Sequence, residues 1–559
     1  MLRRLTATLF LCTSMTGPAL AARYPDLVAL WKEWRQFEPP RIEQCVPDYG
    51  APAMAAKARE LARFQDRLAA LDATGWTVAQ QDDKRLVAAE MNGLDFDLRV
   101  LRPWARDPSF YASVYAEDSD VPAHEGSSIR PAIDLQSFRY PLSTADEERL
   151  TCLLGAIPAL LDQARRNLRD SNARDLWVYG GRAFREQSAT LEAYAAGRLE
   201  LHTLEGRQHA DLAGAGAALL EAIARTRAAT DAFRAWVETE APKKNGPSGV
   251  GKENYSWTAK NVHLIAYGWD EQVTLLRREL DRARAALAVE QFHNRNLPPL
   301  PALDDPVAWR AMATRKMQAL VDFLIGNGLV EDRAYFRAAM AERVGDYTAP
   351  DQRNFFGHGI ARDPSALYSH SYHWIELARR KFEPNASPIR AATPLYDMFD
   401  GRSEGLATAM EELLMHAGLY DDTPRGREIV WAMLANRAAR GLASLYVQAN
   451  EMTLEQAGRF HGAWTPLGWS DPKSDLVAFE QLLYLRQPGY GTSYITGKLE
   501  FDHLVSEVAF EQEQKGESFN LPAFFRRFND AGIVPFCLIS ADMVTDLPLI
   551  RQERGIPPH

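Results

Sequence analysis

Residues 368–381, YSHSYHWIELARRK, and residues 400–420, DGRSEGLATAMEELLMHAGLY, decide how this chain is read. A proline-bearing break separates them, and each carries apolar residues at helical three-and-four spacing. His370 and His373 stand three apart, which predicts one helix with both imidazoles on a shared face. Glu404 and Glu411 stand seven apart on the next predicted helix and also share a face. Imidazoles and carboxylates brought together by two adjacent helices are how a helical protein builds a zinc site. His370, His373 and Glu404 are therefore the candidate metal ligands, with zinc as the candidate ion. The stronger HExxH zinc signature is absent. The bland alternative is surface charge, two hydrogen-bonded histidines, and a Glu404–Glu411 pair held in the core by Arg440. Glu412 and His416, four apart, are spaced to pair on the helix surface.

The rest of the chain is patterned mainly as helix. Residues 53–71, 85–101 and 187–238 are rich in Ala, Leu and Arg at helical spacing. Ser143 reads as a helix cap, and Asp305-Pro306 as a cap followed by a first-turn proline. A long helix is expected over 428–450. Strand-like alternation is scarce, and residues 532–540 (GIVPFCLIS) read as one short strand. The expected class is mainly α, a large multi-helix protein with minor β. Residues 242–252, rich in Pro, Gly and Lys, form a loop between an N-terminal helical half (22–241) and a C-terminal half (253–559) that carries the candidate site. Gly246 with Gly251-Lys252 nearly matches a phosphate-binding loop, but Glu253 replaces the required hydroxyl and the preceding segment reads as helix. The plain-loop reading is preferred.

Residues 1–21 read as a signal peptide, with Arg3 and Arg4, an apolar run too short for a bilayer, and the small-x-small site Ala19-Leu20-Ala21. A periplasmic or secreted protein is expected, without membrane insertion after cleavage. Cys12 lacks the small residues of a lipid-attachment site. The chain has 559 residues, a net charge of -10 and basic residues spread along its length, which argues against nucleic acid as partner. Cys45, Cys152 and Cys537 remain after cleavage. Cys45 with Cys152 is the favoured pair, since both flank N-terminal helices.

Several motifs in order resemble a large bacterial family known only as a domain of unknown function and regarded as zinc-peptidase-like. Its members carry His-Glu-x-x-Pro-Gly-His-His, then Glu-Gly-Trp-Ala with a glutamate seven residues on. An Arg-Leu-Val-x-Asp-x-Gly-x-His helix and a Gln-Pro-Gly-x-x-x-Ser-Tyr turn follow. Here Glu404-Gly405-Leu406-Ala407 and Glu411 are similar to the second motif, Arg440 to the third, and Gln487-Pro488-Gly489 with Ser493-Tyr494 to the last. Leu94-Asp95-Phe96-Asp97 and the 251–255 turn also look like family features. The first motif is altered: its His-Glu pair falls on Ala366-Leu367 or Leu367-Tyr368, and His373 is its surviving histidine. In the third motif Ser444 and Gln448 stand where the family has Asp and His.

The resemblance implies a gluzincin-peptidase-like helical architecture and a ligand that is a peptide or a small amide. Because the leading histidine and its neighbouring glutamate are lost, the expectation is a ligand-binding or catalytically altered relative of zinc peptidases. The alternatives are an active metallohydrolase rebuilt on His370, His373 and Glu404, or a metal-free enzyme using Glu404, Glu411 and Tyr494. Tyr494 is the candidate oxyanion donor, and Glu404, Glu411 and Arg440 are the other candidate catalytic residues.

Overall fold

The computed structural model describes residues 23–124 and 126–544; the expected signal peptide lies outside the described residues. The protein is 66% helical with 4% strand, in agreement with the mainly α expectation. Ser143 caps its helix by accepting from the Asp146 amide at 3.2 Å, and Asp305 accepts from Ala308 at 2.7 Å. Cys45 and Cys152 form the expected disulfide, across 107 residues of chain.

Helix contacts run along a few long elements. In the N-terminal half, Thr144–Asn167 and Gly181–Ala195 both pack on Ala217–Glu240. In the C-terminal half, Trp269–His293 packs on Gly426–Gln448, and Asp400–His416 on Tyr490–Gln514. The last contact is very close, and its glycines explain why. A Cβ on Gly405 would lie 2.4 Å from the Gly497 Cα, and one on Gly497 would lie 2.0 Å from the Gly401 carbonyl oxygen. The glycine after Glu404 is thus a packing requirement that sets the glutamate beside the tyrosines of the facing helix. The largest hydrophobic cluster includes Leu27, Leu150, Phe336 and Phe525, so residues on both sides of the 242–252 loop share it.

That loop lies against the Gly426–Gln448 helix and the residues after it. The Gly249 amide donates to Asn450 and the Gly251 amide to the Gln448 carbonyl, each at 2.8 Å. The Lys252 ammonium sits 2.6 Å from Glu451 and 3.7 Å over the Trp269 ring, so it is already engaged.

Three expectations are corrected. Residues 532–540 are not a strand: Phe536–Met543 is a helix, entered through Pro535. Phe536, Leu538, Ile539 and Ala541 are all buried, so burial on several sides erases the helical stripe and leaves an apolar run that mimics a strand. The alanine-rich stretch 187–238 is interrupted by an antiparallel hairpin, Glu200–Thr203 with Gly206–His209. Finally, His370 and His373 do not share a helix. His370 ends Ser365–His370, and His373 lies in Tyr372–Phe382, with Ser371 between them at ψ 7°.

Candidate metal centre

The kink at Ser371 preserves the convergence that a single helix was expected to supply. The Nε2 atoms of His370 and His373 each lie 3.2 Å from the same oxygen, Oε2 of Glu404. One donor atom from each residue lies within 4.8 Å of the other two. Ligands about 2.0–2.1 Å from a tetrahedral zinc are separated by about 3.3 Å, so both nitrogen-to-oxygen spacings suit a shared ion. His373 and Glu404 are each 2% exposed, and the His370 side chain 13%.

The surroundings orient these donors. The Tyr490 hydroxyl donates to Glu404 Oε1 at 2.5 Å, which leaves Oε2 for the imidazoles. His370 Nδ1 lies 3.0 Å from Glu411 Oε1 and accepts from Arg437 Nη2 at 3.2 Å, with Nε2 turned toward Glu404. Glu411 is in turn gripped by both terminal nitrogens of Arg437, at 2.7 and 2.6 Å, with each side chain 1% exposed. Because Arg437 Nη2 donates to Nδ1, Nε2 carries the proton that faces Glu404 Oε2, and a cation bound between them would replace it.

Electrostatics agree. Burial would lift the Glu404 carboxyl, but His373 and His370 outweigh it and hold it well below the usual range. Burial opposes charge on His373, yet Glu404, with Asp120 and Glu376, pushes its imidazole up to about 9. Asp120 comes from the polar loop before residue 131 and acts electrostatically on both imidazoles. Burial raises its own carboxyl, opposed by His373 and reinforced by Glu404.

The remaining sequence candidates are placed as follows. Tyr494 stacks on His370 with ring centroids 6.1 Å apart, and its ring lies 4.2 Å beneath the Arg440 guanidinium. Arg440 forms its ion pair with Glu480, so it does not clamp the Glu404–Glu411 pair; Arg437, one helical turn earlier, holds Glu411. Glu412 faces away, bonded to Arg282 at 2.8 Å, with His416 at 3.6 Å as expected of a surface pair. Burial works against its charge, but Arg282 and Lys498 pull its carboxyl down to about 2. Ser444 and Gln448 are used structurally: the Gln448 amide ties the Tyr484 and Leu485 carbonyls. The sequence reading missed Arg437, Tyr490 and Asp120. Arg437 and Tyr490 sit beside quoted motifs and had a positional signal, whereas Asp120 had none.

Among the described residues, none of the three donors lines the cavities of about 810 and 550 Å³. The smaller one is bordered by Asp118, Ser119 and Val121 around Asp120, and by Trp374 beside His373.

A family profile described as "Bacterial protein of unknown function (DUF885)" matches residues 39–293, a little under half of the chain. That range contains the 94–97 and 251–255 features but not the histidines or Glu404. No protein of curated function matches the chain. Two solved structures share the fold over nearly its whole length. One, described as a "putative lipoprotein of unknown function" from Shewanella oneidensis, is 14% identical with a TM-score of 0.63, covering 93% of this chain and 97% of its own. The other, a "putative lipoprotein" from Colwellia psychrerythraea, is 13% identical with a TM-score of 0.63, covering 94% and 99%.

Proposed function

We propose that this is an exported metallohydrolase in which His370, His373 and Glu404 hold a zinc ion and that it acts on peptide or other amide bonds. The observation that carries the reading is the convergence of two imidazole nitrogens on one buried carboxylate oxygen. Two histidines and a glutamate are the ligand set of one class of catalytic zinc site, which keeps its fourth position for water or substrate. Bound there, zinc would supply an acidified water and a Lewis acid for a carbonyl. In that setting the Arg437–Glu411 pair holds the His370 ring at Nδ1, and the Tyr490 hydroxyl fixes the Glu404 rotamer. Asp120 is a further carboxylate whose charge acts on both imidazoles. Export is supported by the N-terminal segment, by the lipoprotein descriptions of the two similar structures, and by a disulfide suited to an oxidising compartment.

The test is metal analysis of purified wild type and His373→Ala, alongside hydrolysis of a peptide pool followed by mass spectrometry. Equimolar zinc in wild type, lost in the variant together with hydrolysis, is expected. Wild type that takes up no transition metal overturns the reading. The enclosure of the cluster favours a second reading, a binding protein whose ion serves structure; zinc retained with no hydrolysis would select it.

A further inference from the structure

Leu377 and Arg380 line the cavity of about 550 Å³, together with Trp374. On the Tyr372–Phe382 helix they follow His373 by four and seven residues, so all three share one face. Seven residues at about 1.5 Å each set Arg380 about 10.5 Å along the helix from His373, and its Cα–Cβ bond leans back toward the histidine. The wall also holds Asp118, Ser119 and Val121, around the Asp120 whose charge acts on both imidazoles. Two separate segments, one helix and one loop, therefore tie this cavity to the metal cluster.

Arg380 is half-buried, and among the described residues no carboxylate is in ion-pair contact with it. It donates to the Pro122 carbonyl at 3.2 Å and to the Thr393 hydroxyl, both on the same wall. Those bonds use two of its five N–H donors. Burial, reinforced by the cation of Arg35, weakens its hold on its own proton, and Arg35 is itself paired with Glu90. The other charges on the wall are engaged. Lys381 pairs with Glu205 at 2.7 Å, Asp134 meets His124 at 2.5 Å, and the exposed Asp118 accepts from the Leu204 amide at 2.9 Å. A half-buried cation that feels another cation and touches no anion favours an incoming carboxylate. Val121, Leu204, Trp374 and Leu377 add apolar surface.

Resting on the zinc-hydrolase reading, we propose that this cavity takes the C-terminal end of a peptide substrate and that Arg380 pairs with its free α-carboxylate. Arg380 is then the residue that makes the protein specific for peptide C-termini. The guanidinium fork matches a carboxylate in shape and charge, and the volume suits a short peptide end. An extended chain covers about 10.5 Å in about three residues, so the scissile bond lies within about three residues of the terminus. Water adds across that amide bond, leaving a carboxylate on the longer fragment and an amine on the short peptide released.

Calorimetric titration of the chelator-treated mature chain with N-acetyl-hexaalanine and with its C-terminal amide reads the carboxylate contact without need of a metal. The acid should bind at least about tenfold more tightly than the amide. Arg380→Gln should erase that difference, and Arg380→Lys, which keeps the charge but not the fork, should keep part of it. Circular dichroism would establish that each variant is folded. Zinc-loaded wild type should cleave the acid near its C-terminus, as read by mass spectrometry, and the amide at least about tenfold more slowly. Equal binding of acid and amide by wild type, binding of neither, or an unchanged preference in folded Arg380→Gln would each overturn the proposal. Wild type that prefers the acid but takes up no zinc would overturn the metal reading instead and support the carboxylate contact.

Discussion

Replacing Glu411 by glutamine separates two roles that the structure gives one carboxylate. Arg437 and Glu411 are each 1% exposed and joined by contacts of 2.7 and 2.6 Å. No other described carboxylate is in ion-pair contact with Arg437. Removing one partner of such a buried pair leaves an uncompensated charge and costs about 3–5 kcal/mol. The same change removes the anion facing His370 Nδ1 at 3.0 Å, and loss of such an outer carboxylate typically weakens metal binding by about 10–100-fold. Urea unfolding of chelator-treated protein reads the first quantity, and zinc competition against a chromophoric chelator reads the second. The double variant Glu411→Gln with Arg437→Met should recover much of the stability and none of the zinc affinity, because the buried cation is gone but the histidine is still unsupported. A Glu411→Gln protein with wild-type stability and wild-type zinc affinity would refute both assignments. Recovery of both quantities in the double variant would show that Glu411 affects zinc only through folding.

Other outcomes follow from single observations. Gly405→Ala places a methyl 2.4 Å from the Gly497 Cα, so the two helices must separate; a loss of at least about 1–3 kcal/mol in urea unfolding is expected, and a neutral effect would contradict the close approach. Serine at both Cys45 and Cys152 removes a link spanning 107 residues and should cost up to about 4.7 kcal/mol on the chain-entropy estimate, read as a lower Tm; an unchanged Tm would show that the bridge does not form. Burial, opposed by the Ser127 hydroxyl, lifts the Asp97 carboxyl to about 7. A folded-state value above the ordinary 3.9 means stability that is fully present below about pH 4 and is lost as pH rises through 7. Relative to Asp97→Asn, the wild type should lose on the order of 4 kcal/mol across that window, and a pH-independent difference would exclude the effect.

The sequence alone determined the class of fold and much of its punctuation. Helical periodicity, the Ser143 and Asp305 caps and the Cys45–Cys152 pair depend on neighbours a few residues away or on a small choice of partners, so they can be read locally. The residue types at the candidate site were legible for the same reason. The tertiary structure decided how those residues meet. The kink at Ser371 sets the two imidazoles, and the glycine contact between distant helices sets Glu404 beside Tyr490. Arg437 rather than Arg440 holds Glu411 because the two, three residues apart, are displaced by about 4.5 Å along one helix and about 60° around it and so meet different neighbours. Asp120 acts electrostatically on the cluster from a loop some 250 residues earlier in the chain, and no local spacing encodes an interaction of that range.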